Sequence, residues 1–97
     1  MPADTSAARN VSQHLIDEAV RHLDISLTNP EWLASHRKIS GDASFVYWII
    51  KGMGVLTKGE MAAVAAAFEG KGWHTVMVVP GHNTDLTNWE AEFQADM

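Results

Sequence analysis

Histidines and carboxylates are the first side chains here that could do chemistry, and their spacing decides which of them can act together. His14, Glu18 and His22 recur at four-residue steps. In a helix that spacing stacks them on one face, where an imidazole and a carboxylate can hold a metal ion. The two imidazoles would stand about 12 Å apart along the axis, too far to share one ion. One histidine with Glu18 therefore fits only a site shared between subunits. Ordinary i,i+4 pairing on a solvated face explains the trio without a metal. His74 alternates against Trp73, Thr75 and Met77, which suits either a general base or a hydrogen-bonded strand residue. Gly81-His82-Asn83-Thr84-Asp85 puts a histidine and an acid in one segment. A hydrolase would also need an activated nucleophile or a metal there, and a hairpin loop accounts for the Gly, Asn and Asp. Gly52-Met53-Gly54 and Gly70-Lys71-Gly72 lack the spacing of phosphate loops. Cysteine is absent, which excludes disulfides, thiolate nucleophiles and cysteine-ligated metals. The expectation is a protein that is not an enzyme, with no metal and no cofactor.

The elements that would position these residues follow from hydrophobic period and from start and stop signals. Val11, Leu15, Ile16, Ala19, Val20, Leu23 and Leu27 recur at three- and four-residue steps, which predicts a helix over 6–27. Asp4, Thr5 or Ser6 can cap it, and Asp17 and Arg21 are placed for an i,i+4 pair. Asn29-Pro30-Glu31 restarts a short helix over 30–37, and Ser40-Gly41-Asp42 reads as a turn. Residues 43–51 are aromatic and β-branched, which predicts a strand with both faces covered. The rival reading is a helix capped by Asp42 and stopped at Gly52. Thr57 and Glu60 form a capping-box pair opening a helix over 58–69, with Gly70 as its left-handed terminator. The run Met61–Phe68 has no polar residue, so this helix is expected to be covered on more than one side, its Ala63, Ala66 and Ala67 face meeting the first helix or another protomer.

Residues 73–79 give the clearest strand, ended by Pro80-Gly81. Residues 87–94 alternate strictly. Thr87, Trp89, Ala91 and Phe93 are expected inward, with Asn88, Glu90, Glu92 and Gln94 outward; a helix capped by Thr87 remains the alternative. The assembled expectation is one domain over 1–97 of the α+β class. It has two layers, with N-terminal helices followed by β-α-β-β and a small three-stranded mixed sheet. The first two strands would run parallel through a right-handed helical crossover, and the last two would form a hairpin.

Composition narrows the partners. A chain of 97 residues should expose about 5,500 Å² when folded. No apolar run approaches the roughly 20 residues of a membrane span, and the opening residues do not read as a signal peptide, so a cytoplasmic location is expected. Twelve acids against seven bases give a net charge of −5, which argues against direct nucleic-acid binding. All seven bases lie before residue 79, whereas Asp85, Glu90, Glu92 and Asp96 follow with none. If the last strand forms an edge, its outward face becomes a local acidic surface. Such a surface either guards the edge against aggregation or meets a basic partner. Trp32, Trp48, Trp73 and Trp89 are core residues by default, with at least one expected to be partly exposed at an interface.

One stretch has a familiar order. A capped helix, then Gly70-Lys71-Gly72-Trp73, a valine-rich strand and a Trp-containing last strand are similar to small uncharacterised tailed-phage accessory proteins, over roughly the second half of the chain. That resemblance implies a viral accessory product acting in the host cytoplasm, and it defines no functional residues. The combined expectation is a small non-enzymatic protein that binds and inhibits or redirects a host protein, with homo-oligomerisation open. Its partner-binding candidates are Ala63, Ala66, Ala67, Asp85, Trp89, Glu90 and Glu92. The alternatives are a virion or assembly component, and a small enzyme or metal protein using His14, Glu18, His22, His74 or His82.

Overall fold

The structure is a computed structural model that describes residues 2–40, 44–51, 55–81 and 89–96. It belongs to the α+β class. Helix α1 (Ser6–Leu27) is followed by α2 (Pro30–His36), strands β1 (Lys38–Ser40) and β2 (Ser44–Lys51), helix α3 (Lys58–Ala66), and strands β3 (Thr75–Pro80) and β4 (Trp89–Asp96).

Local signals set the helix ends. Asn29 Oδ1 accepts from the backbone N–H groups of Glu31 and Trp32, and Pro30 takes the first helical position, where its missing N–H costs nothing. Thr57 and Glu60 form the reciprocal capping box. At the start of α1, Thr5 occupies the cap position without a side-chain bond, and Asp4 Oδ1 accepts from Ser6 N–H at 2.9 Å instead. That bond holds the Asp4 carboxyl below its usual value. Helix α3 stops at Ala66, three residues short of the expected end. Phe68 and Glu69 N–H donate to carbonyls three residues back, a tighter closing turn, before Gly70 enters the left-handed region at φ 74°.

The sheet corrects the expected topology. It has four strands in the order β1-β2-β4-β3, and every neighbouring pair is antiparallel. The expected hairpin of the last two strands forms, with Pro80 opposite Trp89 and Thr75 opposite Gln94. The expected contact between the two strands flanking α3 does not. Strands β2 and β3 run parallel to each other, but β4 is inserted between them. The short strand β1 was not expected; it runs into the turn read at Ser40-Gly41-Asp42, whose residues 41 and 42 lie outside the described residues. The reason for the insertion lies in β4, where Trp89 is 3% exposed and Ala91 and Phe93 are 0% exposed. Burial that complete requires a strand on each side as well as helices above.

All three helices lie against one face of the sheet. Leu23 and Ala19 of α1, Met61 and Val64 of α3, and Phe68 pack with Tyr47, Ile49, Trp89, Ala91 and Phe93 into one core cluster. Aromatic edges knit the layers together: Phe68 meets Phe93 at 5.1 Å, Trp73 meets Phe93 at 5.3 Å, and Trp32 meets Tyr47 at 6.1 Å between ring centres. The second face of β2 was expected to be covered too. Among the described residues no helix lies there, and Val46, Trp48 and Val79 are half-buried with Met77 exposed. The apolar run in α3 meets both the sheet and α1, as expected, without being closed all round. Met61, Val64 and Phe68 are buried, whereas Ala62, Ala63, Ala66 and Ala67 are exposed. Alanine needs no cover, because its side chain adds little apolar area.

The one-sided sheet leaves a large surface. The chain exposes 6648 Å², against about 5,500 Å² expected for its size. Its radius of gyration is 15.1 Å, against about 12.5 Å for a close-packed chain of this length. Stability therefore leans on few residues. Phe93→Ala should cost about 3–5 kcal/mol, a large share of a total of about 5–15 kcal/mol. Urea unfolding would show this as a lower midpoint, and a loss below about 1 kcal/mol would mean that Phe93 is not at the centre of the core.

Candidate groove between the first and third helices

The packing of α3 on α1 starts from one carboxylate. Glu60 is 8% exposed. Its Oε1 accepts from Thr57 N–H at 2.7 Å, and its Oε2 accepts from the Ser12 hydroxyl on α1. The Ser12 bond, then the Thr57 backbone bond, hold its carboxyl below the usual glutamate value. One side chain thus caps α3 and tethers it to α1.

Beyond this tether the two helices leave a groove. Ile16 and Val20 of α1 form its floor with Ala63 and Ala67, and Gln13, Asp17, Arg21 and Asp24 form the α1 rim. The cleft holds about 520 Å³. It continues past Val20 and Ala67 into a second cleft of about 260 Å³ lined by Leu27, Phe68, Lys71 and Trp73. From Gln13 to Thr28 it follows α1 for about 22 Å. The two alanines make the groove, since larger side chains there would fill it. Its α1 rim carries Asp17 and Asp24 seven residues apart, two helical turns on one side. Asp17 Oδ1 also accepts from Gln13 Nε2 at 2.9 Å.

The structure brings together some of the residues proposed from sequence and separates others. Ala63 and Ala67 lie in the groove; Ala66 is exposed on the outer side of α3. Trp89 is a core residue, not a surface one. Glu90 was expected outward on an edge strand, yet it is 4% exposed. Strand β4 is central, so Glu90 lies between Ile50 of β2 and Val79 of β3. Glu92 is half-buried on the same face, opposite Trp48 and Met77. The expected acidic edge therefore does not exist. Asp85, His82 and the rest of that loop to Asn88 lie outside the described residues.

The histidines disperse as well. His14 is exposed and pairs with Glu18 at 3.6 Å. His22 turns the other way and meets the Trp89 ring edge-on at 6.0 Å. It lines a separate cleft of about 300 Å³ with Ser26, Trp32, His36, Trp48 and Ile49. His36 stacks on Trp32 at 4.3 Å. His74 is exposed just before β3, and its N–H donates to the Gln94 carbonyl at 2.7 Å. Among the described residues no group of three or more metal-ligating side chains converges. Of the tryptophans, Trp32, Trp48 and Trp73 are half-buried.

Sequence reasoning placed Ile16 and Val20 on the apolar stripe and Ala63 and Ala67 on a face meeting the first helix or another protomer, but it missed Asp17 and Asp24 as the rim. Their seven-residue spacing beside Val20 was the available signal. Comparison with known proteins found no matching family model, no matching curated protein and no matching solved structure. Among the described residues no helix is long and apolar enough to cross a membrane.

Glu60→Gln or Ser12→Ala should each cost about 1 kcal/mol at pH 7. The sign with pH follows from the lowered carboxyl. Its contribution is full above the unfolded-state value and is lost as pH falls through the lower folded-state value. The gap between the parent protein and Glu60→Gln should therefore narrow in urea titrations taken at about pH 3. An unchanged gap would mean that the ionised carboxylate does not hold the helices together.

Proposed function

We propose that this is a non-enzymatic binding protein whose α1/α3 groove receives an amphipathic helix of a partner protein. The observation that supports this reading is the groove itself, with an apolar floor of Ile16, Val20, Ala63 and Ala67 and a charged rim on which Asp17 and Asp24 flank Arg21. Helix-in-groove recognition uses such floors, reading apolar anchors at i, i+3, i+4 and i+7 of the incoming helix. Asp17 and Asp24 select basic residues two turns apart on that helix. The sequence resemblance to tailed-phage accessory proteins supports a host protein as the proposed partner, inhibited or redirected when its helix is covered.

The test uses a peptide helix with leucines at i, i+3, i+4 and i+7 and lysines seven residues apart. Trp73 at the far end of the groove should report binding by a shift in its emission. Ala63→Glu with Ala67→Glu changes exposed positions and should alter stability by only about 0.5 kcal/mol while weakening the peptide roughly tenfold or more. Asp17→Lys with Asp24→Lys should reverse the preference to a glutamate-bearing peptide. Binding that ignores both pairs of substitutions would rule out the groove.

A further inference from the structure

The two edges of the sheet are built differently. Strand β1 is three residues long and carries Lys38, two of the devices by which proteins blunt an edge. Strand β3 forms the opposite edge with six residues, Thr-Val-Met-Val-Val-Pro, and no charge. Among the described residues its one guard is Pro80, at its end. Among the described residues no strand pairs with its outer side. A long uncharged edge of this kind is a template for another strand.

The helix above β3 points to the identity of that strand. Helix α3 turns Ala63 and Ala67 toward α1 and packs over β3 with its buried side. Lys58, Ala62, Ala65 and Glu69 are spaced by four, three and four residues, which places them on one stripe of α3 and its closing turn. That stripe is the flank turned away from α1, on the side of the free β3 edge. It is self-complementary when run antiparallel. Lys58 falls opposite Glu69, and Ala62 falls opposite Ala65, in both directions at once. Lys58, Ala62 and Glu69 are exposed, and Ala65 is half-buried. The alanines permit close approach of the two helices, and each oppositely charged pair occurs twice.

We propose that β3 pairs antiparallel with β3 of a second copy of this chain, joining two sheets across a two-fold axis with α3 beside its counterpart. An isologous contact requires a self-complementary patch, and the stripe supplies one. The β3 edge brings no like charges together, so it offers no electrostatic barrier to pairing with itself. The flank used lies on the opposite side of α3 from the groove, so the dimer leaves both grooves open. The proposal stands on different residues from the groove reading, and each can fail without the other.

Sedimentation of the full chain across low to high micromolar concentration is the test. The parent protein should sediment as a dimer. Met77→Lys places a charge on β3 at an exposed side chain and should give a monomer. Lys58→Glu alone or Glu69→Lys alone should weaken the dimer roughly tenfold by setting like charges against each other. The two together restore opposite charges and should return affinity to near the parent value. A parent protein that stays monomeric throughout would overturn the proposal. So would a dimer indifferent to Met77→Lys, or single swaps that the double swap does not rescue.

Discussion

The structure depends on burying one side of β4. Trp89, Ala91 and Phe93 lie under the helices with almost no contact with water. At about 25 cal/mol per Å² of apolar surface, burying Phe93 and Trp89 alone contributes several kcal/mol. That burial needs flanking strands, so β4 enters the middle of the sheet although it comes last in the chain. It needs a roof, so Leu23 of α1, Val64 of α3 and Phe68 converge above it. The remaining features follow. The edges pass to β1 and β3, Glu90 is enclosed between neighbours, and the groove forms where α1 and α3 diverge beyond their tether.

What was legible in the sequence was local. Asn29-Pro30 and the Thr57/Glu60 box announce helix starts because their hydrogen bonds close within a few residues. The alternation of Trp89 to Gln94 gave the correct inward face. It did not give strand order, because pairing between residues such as Phe45 and Ala95 is non-local. Glu90 shows the cost of that gap. Alternation says which face a side chain takes, and only the neighbouring strands decide whether that face is wet. The acidic edge expected from Glu90 and Glu92 was therefore the part of the site that failed, while Ala63 and Ala67 are exposed beside α1.

The two proposed surfaces lie on opposite sides of α3. Toward α1, small side chains leave an apolar groove beneath Asp17, Arg21 and Asp24. Away from α1, small side chains between Lys58 and Glu69 form a flank that matches itself. Alanine serves both. It keeps the helix, adds little apolar area that must be hidden, and leaves room for another helix. Among the described residues the sheet is roofed by helices on one face only.

The central claim is the inner place of β4 and the outer place of β3. Amide hydrogen exchange followed residue by residue in dilute protein tests it most directly. Residues 89–96 should exchange slowest in the sheet, requiring near-global opening, while the outward amides of residues 75–80 exchange through small local openings. If the amides of residues 89–96 exchanged as fast as those of residues 75–80, β4 would be an edge strand and this account of the fold and its surfaces would be wrong.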